Sequence, residues 1–330
     1  MKSTVEIFSE LGVRLAEFGS DERTRSVIAR AVAENEWFSV EDIRYAVEAI
    51  RQEMLDAEKV EKWLSHYPFV ATRGSKRVAI IMAGNIPLVG FFDLMCVVAA
   101  GDIPCVKHSS KDSILQSYVE ELLCEIEPEL RIEQYAECAE YDAVIATGGD
   151  SANLYFRTAF DGIPSLLRGS RHSVAVLSGK ESKGDIAHLA DDIFRYSGLG
   201  CRSVSLVFLP KRSRLQLEAR KMCRAYHNNY LQCRALLTMR GEKFEDLGEA
   251  VMVSSKAEFP RSLSQINVVE YSDLSEVAEW LEANDEALQC VVSKVDGLHS
   301  RCVPFGRAQM PTLFDYADER DVMQFLLSID

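Results

Sequence analysis

The sequence predicts an α/β fold: N-terminal helices, then two successive units in which strands alternate with helices around parallel sheets. Three observations predict it. Residues 4–66 place apolar side chains at helical spacing and contain no strand-like run. From Arg77 onward, short continuous apolar runs recur, each followed by a turn and a helical pattern, as buried parallel strands with crossover helices require. No internal repeat and no Pro/Gly/Ser-rich linker interrupts the 330 residues, of which 47% are hydrophobic, enough to bury a substantial core.

The elements follow in order. "TVEIFSELGVRLAEF" is an amphipathic helix. "SVEDIRYAVEAIRQEMLDAEKVEKWL" starts with Ser39 as N-cap and holds Glu41 and Asp42 in its first turn, at the positive end of the helix dipole. "RVAIIMA" is the first strand, "GNIPLVG" breaks it, and a helix runs on to about Ala99. "IPCVKHS" and "KDSILQSYVEELLCEI" are a second strand and helix, and "LRIEQYA" is a third, short strand. "DAVIATGGDSANLYFRTAF" reads as strand, glycine turn and helix, and "SVAVLSG" as another strand. A helix over "GDIAHLADDIFRYSG" leads to the strand "SVSLVFLP", and "SRLQLEARKMCRAYHNNYLQCRALLTM" reads as one long helix. "QINVVEY", "DLSEVAEWLEA" and "LQCVVSK" complete the second unit as strand, helix and strand.

Composition narrows the function. A net charge of −14 repels phosphate backbones and argues against nucleic acid or an anionic membrane as partner. The longest apolar run, residues 86–100, is too short to span a bilayer and carries Asp93, while "MKSTVEIFSELG" lacks a signal-type apolar core. A cytoplasmic location is expected. Nine cysteines lie scattered through apolar stretches with no C-x-x-C, and six histidines are equally dispersed. These are thiols of a reducing compartment, and no metal site is expected.

Ligands of an open parallel sheet bind beyond the carboxyl ends of its strands. Three groups fall there: "AGNIP", "KHSS" and "TGGD". In "TGGD", Thr147, Gly148 and Gly149 can bring a phosphate to the N–H groups of a following helix; equally, they can be a tight turn with Asp150 or Ser151 as N-cap. Lys107 can reach a ribose or phosphate, or simply extend into solvent. Asn85 can donate to an oxyanion, or serve as a turn residue. Cys201, in "YSGLGCRSVS", follows glycines 198 and 200, which leave room for a substrate or cofactor ring, and Arg202 can favour its thiolate. Its alternative role is a buried thiol beside a helix-ending glycine.

Together and in this order, the asparagine–proline turn, strand-end lysine, T-G-G turn and G-x-G-C loop resemble the aldehyde dehydrogenase superfamily. The sequence is most similar to its acyl-CoA reductase branch, of LuxC type. "AGNIP", "YSGLGCRSVS" and the ending "PFGRAQMPTLFDYADERDVMQFL" carry the likeness, over about Arg77 to Leu327. It implies an aldehyde dehydrogenase-like fold, with a Rossmann-like cofactor domain and an α/β catalytic domain. Residues 1–66 would be a helical segment packed on the cofactor domain. Residues 67–176, completed by 303–330, would bind the dinucleotide, and 177–302 would carry the nucleophile. By resemblance Cys201 is the catalytic nucleophile and Asn85 the oxyanion donor. Lys107, with Ser109 beside it, would approach the adenosine ribose, where His108 and Ser110 are further candidates for choosing NAD or NADP. Thr147, Gly148 and Gly149 would lie beside the dinucleotide. The expected reaction is NAD(P)H-dependent reduction of an acyl-CoA thioester, a small-molecule substrate, to an aldehyde. Reduction of an acyl phosphate, oxidation of a semialdehyde and non-catalytic nucleotide binding are the alternatives.

Two departures stand out. Acid-forming relatives carry a glutamate base in an "ELGG" stretch; in "LLRGSRHSVAVL" Leu167 occupies that place. The span from Tyr67 to Arg77 leaves little room for the family's oligomerisation hairpin, so its oligomeric state is not carried over.

Overall fold

The computed structural model describes residues 2–68 and 76–329; most of the span expected to lack a hairpin, residues 69–75, lies outside the described residues. The chain divides into two compact units, Met1–Ser170 with Met310–Asp330, and Arg171–Gln309.

The first unit opens with four helices, α1 (Thr4–Leu15), α2 (Glu22–Glu34), α3 (Val40–Met54) and α4 (Ala57–Leu64). Each is capped by a side chain its sequence supplies: Ser3, Asp21, Ser39 and Asp56 accept N–H groups of the first turn. Such a cap is worth about 1 kcal/mol. The strands are β1 (Arg77–Ile81), β2 (Ile103–Lys107), β3 (Glu133–Gln134), β4 (Ala143–Thr147) and β5 (Ser165–Arg168), in the order β3-β2-β1-β4-β5. All pairings are parallel. The crossover helices are α5 (Phe91–Ala99), α6 (Ser113–Ile126) and α7 (Asp150–Ala159). One continuous core joins Phe8, Leu11 and Trp63 of the N-terminal helices to Val78 and Ile80 of β1 and to Phe91 and Leu94 of α5. The sheet's other face packs Ala79, Ile81, Val144 and Ala146 against Phe156 and Phe160 of α7.

This strand order has a consequence for function. The chain moves from β1 outward to β2 and β3, then returns to place β4 on the opposite side of β1. Connections leaving β1 and β4 therefore diverge, and the sheet opens a crevice at their carboxyl ends, the usual ligand site of such sheets. Asn85 follows β1 and Gly148 follows β4.

The second unit holds a seven-stranded sheet in the order β12-β11-β6-β7-β10-β9-β8. Its elements are β6 (His172–Val176), α8 (Lys183–Phe194), β7 (Val204–Pro210), α9 (Arg224–Arg240), β8 (Glu245–Asp246), β9 (Val251–Ser254), β10 (Gln265–Tyr271), α10 (Leu274–Ala283), β11 (Leu288–Ser293) and β12 (Cys302–Val303). β8 pairs with β9 antiparallel; the other pairings are parallel. A closing helix, α11 (Val322–Leu327), adds Val322, Met323 and Leu326 to the core of the first unit. The strand at 172–176, expected in the first unit, hydrogen-bonds to β7 and β11 and so belongs to the second.

The helix expected over residues 213–239 begins only at Arg224. Arg212 turns left-handed at φ +69°, and Leu215 and Leu217, two apart, are both buried, as an extended chain buries alternate residues. The apolar spacing there suited a helix, but packing selects the extended form.

Candidate active site

At the carboxyl edge of the first sheet, the turn bearing Asn85 is fixed from three sides. The Leu88 N–H donates to Asp112 Oδ2 at 2.7 Å, holding Leu88 at φ +57°, a conformation that ordinarily costs a bulky residue about 1–3 kcal/mol. Asn35, just beyond α2, donates through Nδ2 to the carbonyls of Gly84 and Lys111 at 3.3 and 3.2 Å. Gly84 lies so close to Ser109 that a Cβ there would come within 2.4 Å of the serine Oγ. Burial pushes the Asp112 carboxyl well above the usual carboxylate range, against the pull of the Leu88 N–H.

Lys107 ends β2 with its ammonium 5.1 Å from the centroid of the Tyr135 ring and 3.9 Å from the Glu137 carboxylate. Ser109 accepts the Lys111 N–H at 3.3 Å. His108 is committed elsewhere: its Nε2 lies 2.7 Å from Glu120 Oε1 on α6, with both side chains largely buried.

Thr147 ends β4, its hydroxyl 3.4 Å from the Arg168 guanidinium, which grips buried Asp93 of α5 through two bonds of 2.7 and 2.9 Å. Gly148 packs so tightly that a Cβ would come within 2.8 Å of Ala152. Gly149, rather than Asp150 or Ser151, is the N-cap of α7 and makes no side-chain capping bond. A Cβ added to it would meet nothing within 4 Å. Asp150 Oδ1 accepts the Ser170 N–H at 3.3 Å. The open backbone and the positive end of α7 fit a dinucleotide phosphate.

In the second unit, α8 runs into a short left-handed turn. Tyr196 and Ser197 stand at φ +54° and +55°, followed by Gly198 at +66°. Three successive left-handed residues, two of them not glycine, are strained and persist only where surroundings enforce them. Here Tyr196 and Ser197 are buried, and the Ser197 hydroxyl lies 3.4 Å from Cys223 Sγ. The chain then makes a four-residue turn, closed by the Ser203 N–H donating to the Gly200 carbonyl at 3.0 Å, and enters β7. Cys201 is exposed within that turn. Arg202 donates to the Ala308 carbonyl at 3.4 Å. Gln309 Nε2 reaches Ser203 Oγ at 3.2 Å, while Asp192 of α8 accepts the N–H groups of Gly306 and Ala308 at 2.6 and 3.1 Å. Residues 306–309 thus form a strap tying the cysteine turn to α8.

The family described as Acyl-CoA reductase (LuxC) matches residues 35–229, more than half of the chain. The chain belongs to the LuxC acyl-CoA reductase family. No curated protein sequence matches it. Solved aldehyde dehydrogenases share its fold. Aldehyde dehydrogenase 21 from Physcomitrella patens is 11% identical with a TM-score of 0.69, over 98% of this chain and 83% of that one. A propionaldehyde dehydrogenase from the fucose-utilisation microcompartment of Clostridium phytofermentans is 11% identical with a TM-score of 0.57, over 94% and 80%. A cysteine-to-alanine variant of aldehyde dehydrogenase C from Pseudomonas syringae, solved with NAD+ and octanal, is 13% identical with a TM-score of 0.61, over 90% and 73%. Family and fold mark the protein as an oxidoreductase of the acyl-CoA reductase and aldehyde dehydrogenase type.

The match to the LuxC acyl-CoA reductases begins at Asn35, the residue that anchors the Asn85 turn, so α3 and α4 lie within the family region. The C-terminal stretch on which the resemblance partly rested lies outside it. Sequence reasoning missed Asn35, Asp112, Asp192, Gln309 and the Arg168–Asp93 pair, all of which act through contacts distant in sequence. Among the described residues no helix is long and apolar enough to cross a membrane, and no cluster of His, Cys, Asp and Glu could hold a metal.

Asp192 gives this LuxC-family protein a pH-dependent strap. Burial pushes its carboxyl up to about 7, although the Gly306 and Ala308 N–H groups pull it down. The folded state therefore binds this proton more tightly than the unfolded chain. The resulting stability is fully present below about pH 4 and is lost as pH rises through 7. Across that interval, the melting temperature of the wild type is expected to fall relative to that of Asp192→Asn. A constant difference from pH 4 to 8 would exclude this role.

Proposed function

We propose that the protein reduces an acyl-CoA thioester to an aldehyde through an acyl-cysteine at Cys201, using NADPH or NADH. The observation that carries this reading is an exposed cysteine in a turn braced on several sides, in a chain of the LuxC family. The Cys201 thiolate attacks the thioester carbonyl, and the Asn85 amide, with a backbone N–H at the cysteine, stabilises the oxyanion. Collapse expels CoA and leaves the acyl group on sulfur. Lys107, Ser109, Thr147, Gly148 and Gly149 would hold the dinucleotide, with Gly149 and the start of α7 receiving a phosphate. When bound, NAD(P)H supplies the hydride that reduces the acyl-cysteine. Cys201 then leaves as thiolate, releasing the aldehyde. Steady-state assays with acyl-CoA against acyl phosphate, each with NADPH and NADH, test the reading; turnover of acyl phosphate alone would overturn it.

Asn85→Ala is expected to lower kcat by roughly 10²–10³, the usual loss for one oxyanion donor, with cofactor affinity little changed. The companion variant Asn35→Ala loosens the same turn without removing the donor. If Asn85→Ala chiefly lowers the melting temperature and spares kcat, the side chain is a turn residue only.

A further inference from the structure

Cys201 lies three residues before Val204, where two strand ladders slip together. On one side β6 pairs Ser173 with Val204 and then Val174 with Leu206, skipping Ser205. On the other, His172 pairs with Leu288 and Ser173 with Cys290, skipping Gln289. Bulges opposite one residue on both neighbouring strands disrupt the regular ladder there. The Ser173 side chain, which is fully buried, makes local bonds in its place. Its Oγ lies 2.8 Å from the Cys201 carbonyl, accepts the Cys290 N–H at 3.1 Å, and lies 3.1 Å from Cys290 Sγ.

The direction of these bonds follows from donor counting. A hydroxyl has one proton and two lone pairs. Burial pushes the Cys290 thiol up to about 11, so at neutral pH it keeps its proton. A protonated thiol can donate, so both Cys290 groups can fill the two lone pairs. The hydroxyl proton is left for the Cys201 carbonyl, which can only accept.

We propose that Ser173 is a positioning residue for the nucleophile: its buried hydroxyl fastens the Cys201 backbone to the centre of the second sheet and so fixes where the thiol is presented. The proposal rests on Cys201 being the nucleophile. From the strap, Ala308 and Gln309 hold the neighbouring Arg202 and Ser203, whereas Ser173 bonds to Cys201 itself.

The test compares Ser173→Ala, Ser173→Thr and Cys290→Ala in the full-length protein. Hydrogen exchange is read across residues 197–205 and across β6, β7 and β11, and kcat and KM are measured with acyl-CoA. In Ser173→Ala, exchange is expected to rise at least about tenfold at 199–203 with the strand interiors unchanged. Its kcat is expected to fall roughly 10- to 100-fold at constant KM, the scale of a misplaced reacting group. Ser173→Thr, which restores the hydroxyl, is expected to recover both, and Cys290→Ala, which leaves the bond to Cys201, to keep both. Unchanged exchange at 199–203 in Ser173→Ala would overturn the proposal, as would kcat within twofold of wild type. Loss of protection spread over all three strands would reduce Ser173 to a stabilising core residue. A wild type that turns over no acyl-CoA, with the localised exchange still present, would instead defeat the assigned reaction and leave the fastening intact.

Discussion

Cys201→Ala is expected to lower acyl-CoA reduction by about 10⁴-fold or more, with folding and NAD(P)H binding unchanged. Removing a nucleophile closes the covalent route, and what survives in such variants is the residual effect of binding and oxyanion stabilisation. The structure separates this from a stability effect. Cys201 is exposed in a turn before β7, so loss of its sulfur opens no cavity. Cys96 is the matched contrast: it is fully buried in α5, and burial raises its thiol well above the ordinary value, leaving it protonated and inert. Cys96→Ala is expected to cost about 1–3 kcal/mol of stability and to spare kcat. Iodoacetamide should inactivate the wild type with modification at Cys201 while Cys96 stays unlabelled in the native state. Near-normal turnover by Cys201→Ala would remove the nucleophile from the mechanism.

What the sequence makes legible and what it hides divide along range. Continuous apolar runs such as "RVAIIMA" and "DAVIATGG" identify buried parallel strands because both faces of those strands are covered. The places after β1, β2 and β4 follow directly from that pattern, and with them Asn85, Lys107 and Gly149. Strand order is hidden, so the reversal at β1 that makes two of those places a ligand crevice is not readable. Nor are the residues that hold the turns still. Ser173 meets Cys290 across 117 positions, Asp192 meets Gly306 across 114, and Asn35 meets Gly84 across 49. A serine in a strand, an aspartate on a helix and an asparagine after one are each ordinary in their local settings. Only tertiary folding gives them partners. The misread segment at 213–223 shows the same limit from the other side, since a stretch read as the start of a long helix runs extended once Arg212 turns left-handed and Leu215 and Leu217 are buried in alternation.

With aldehyde and NAD(P)+ as substrates, the protein is expected to form acyl-CoA when CoA is present and to form free acid at least about 10²-fold more slowly when it is absent. The reason lies at Leu167. Hydrolysis of an acyl-cysteine needs an activated water, and a positioned general base contributes roughly 10²–10⁴ to such a step. Leu167, which the resemblance sets where acid-forming relatives keep glutamate, lies in β5, paired with Ala146 and packed against a cluster of Ala79, Ile81, Val144, Phe156 and Phe160. A leucine takes no proton, so it cannot serve as that base. CoA depends less on such a base, because a thiol is already a few per cent thiolate near neutral pH. The acyl-enzyme should therefore persist against water and exchange readily with CoA, making the reaction reversible. Leu167→Glu gives a second, structural check. In that apolar setting a carboxylate lacks the solvation it needs, so the variant is expected to lose thermal stability rather than gain a hydrolase. Rapid acid formation by the wild type without CoA would show that another residue supplies the base. Efficient hydrolysis by a stable Leu167→Glu variant would show that a carboxylate at this position can serve as the base and that its apolar setting does not bar it.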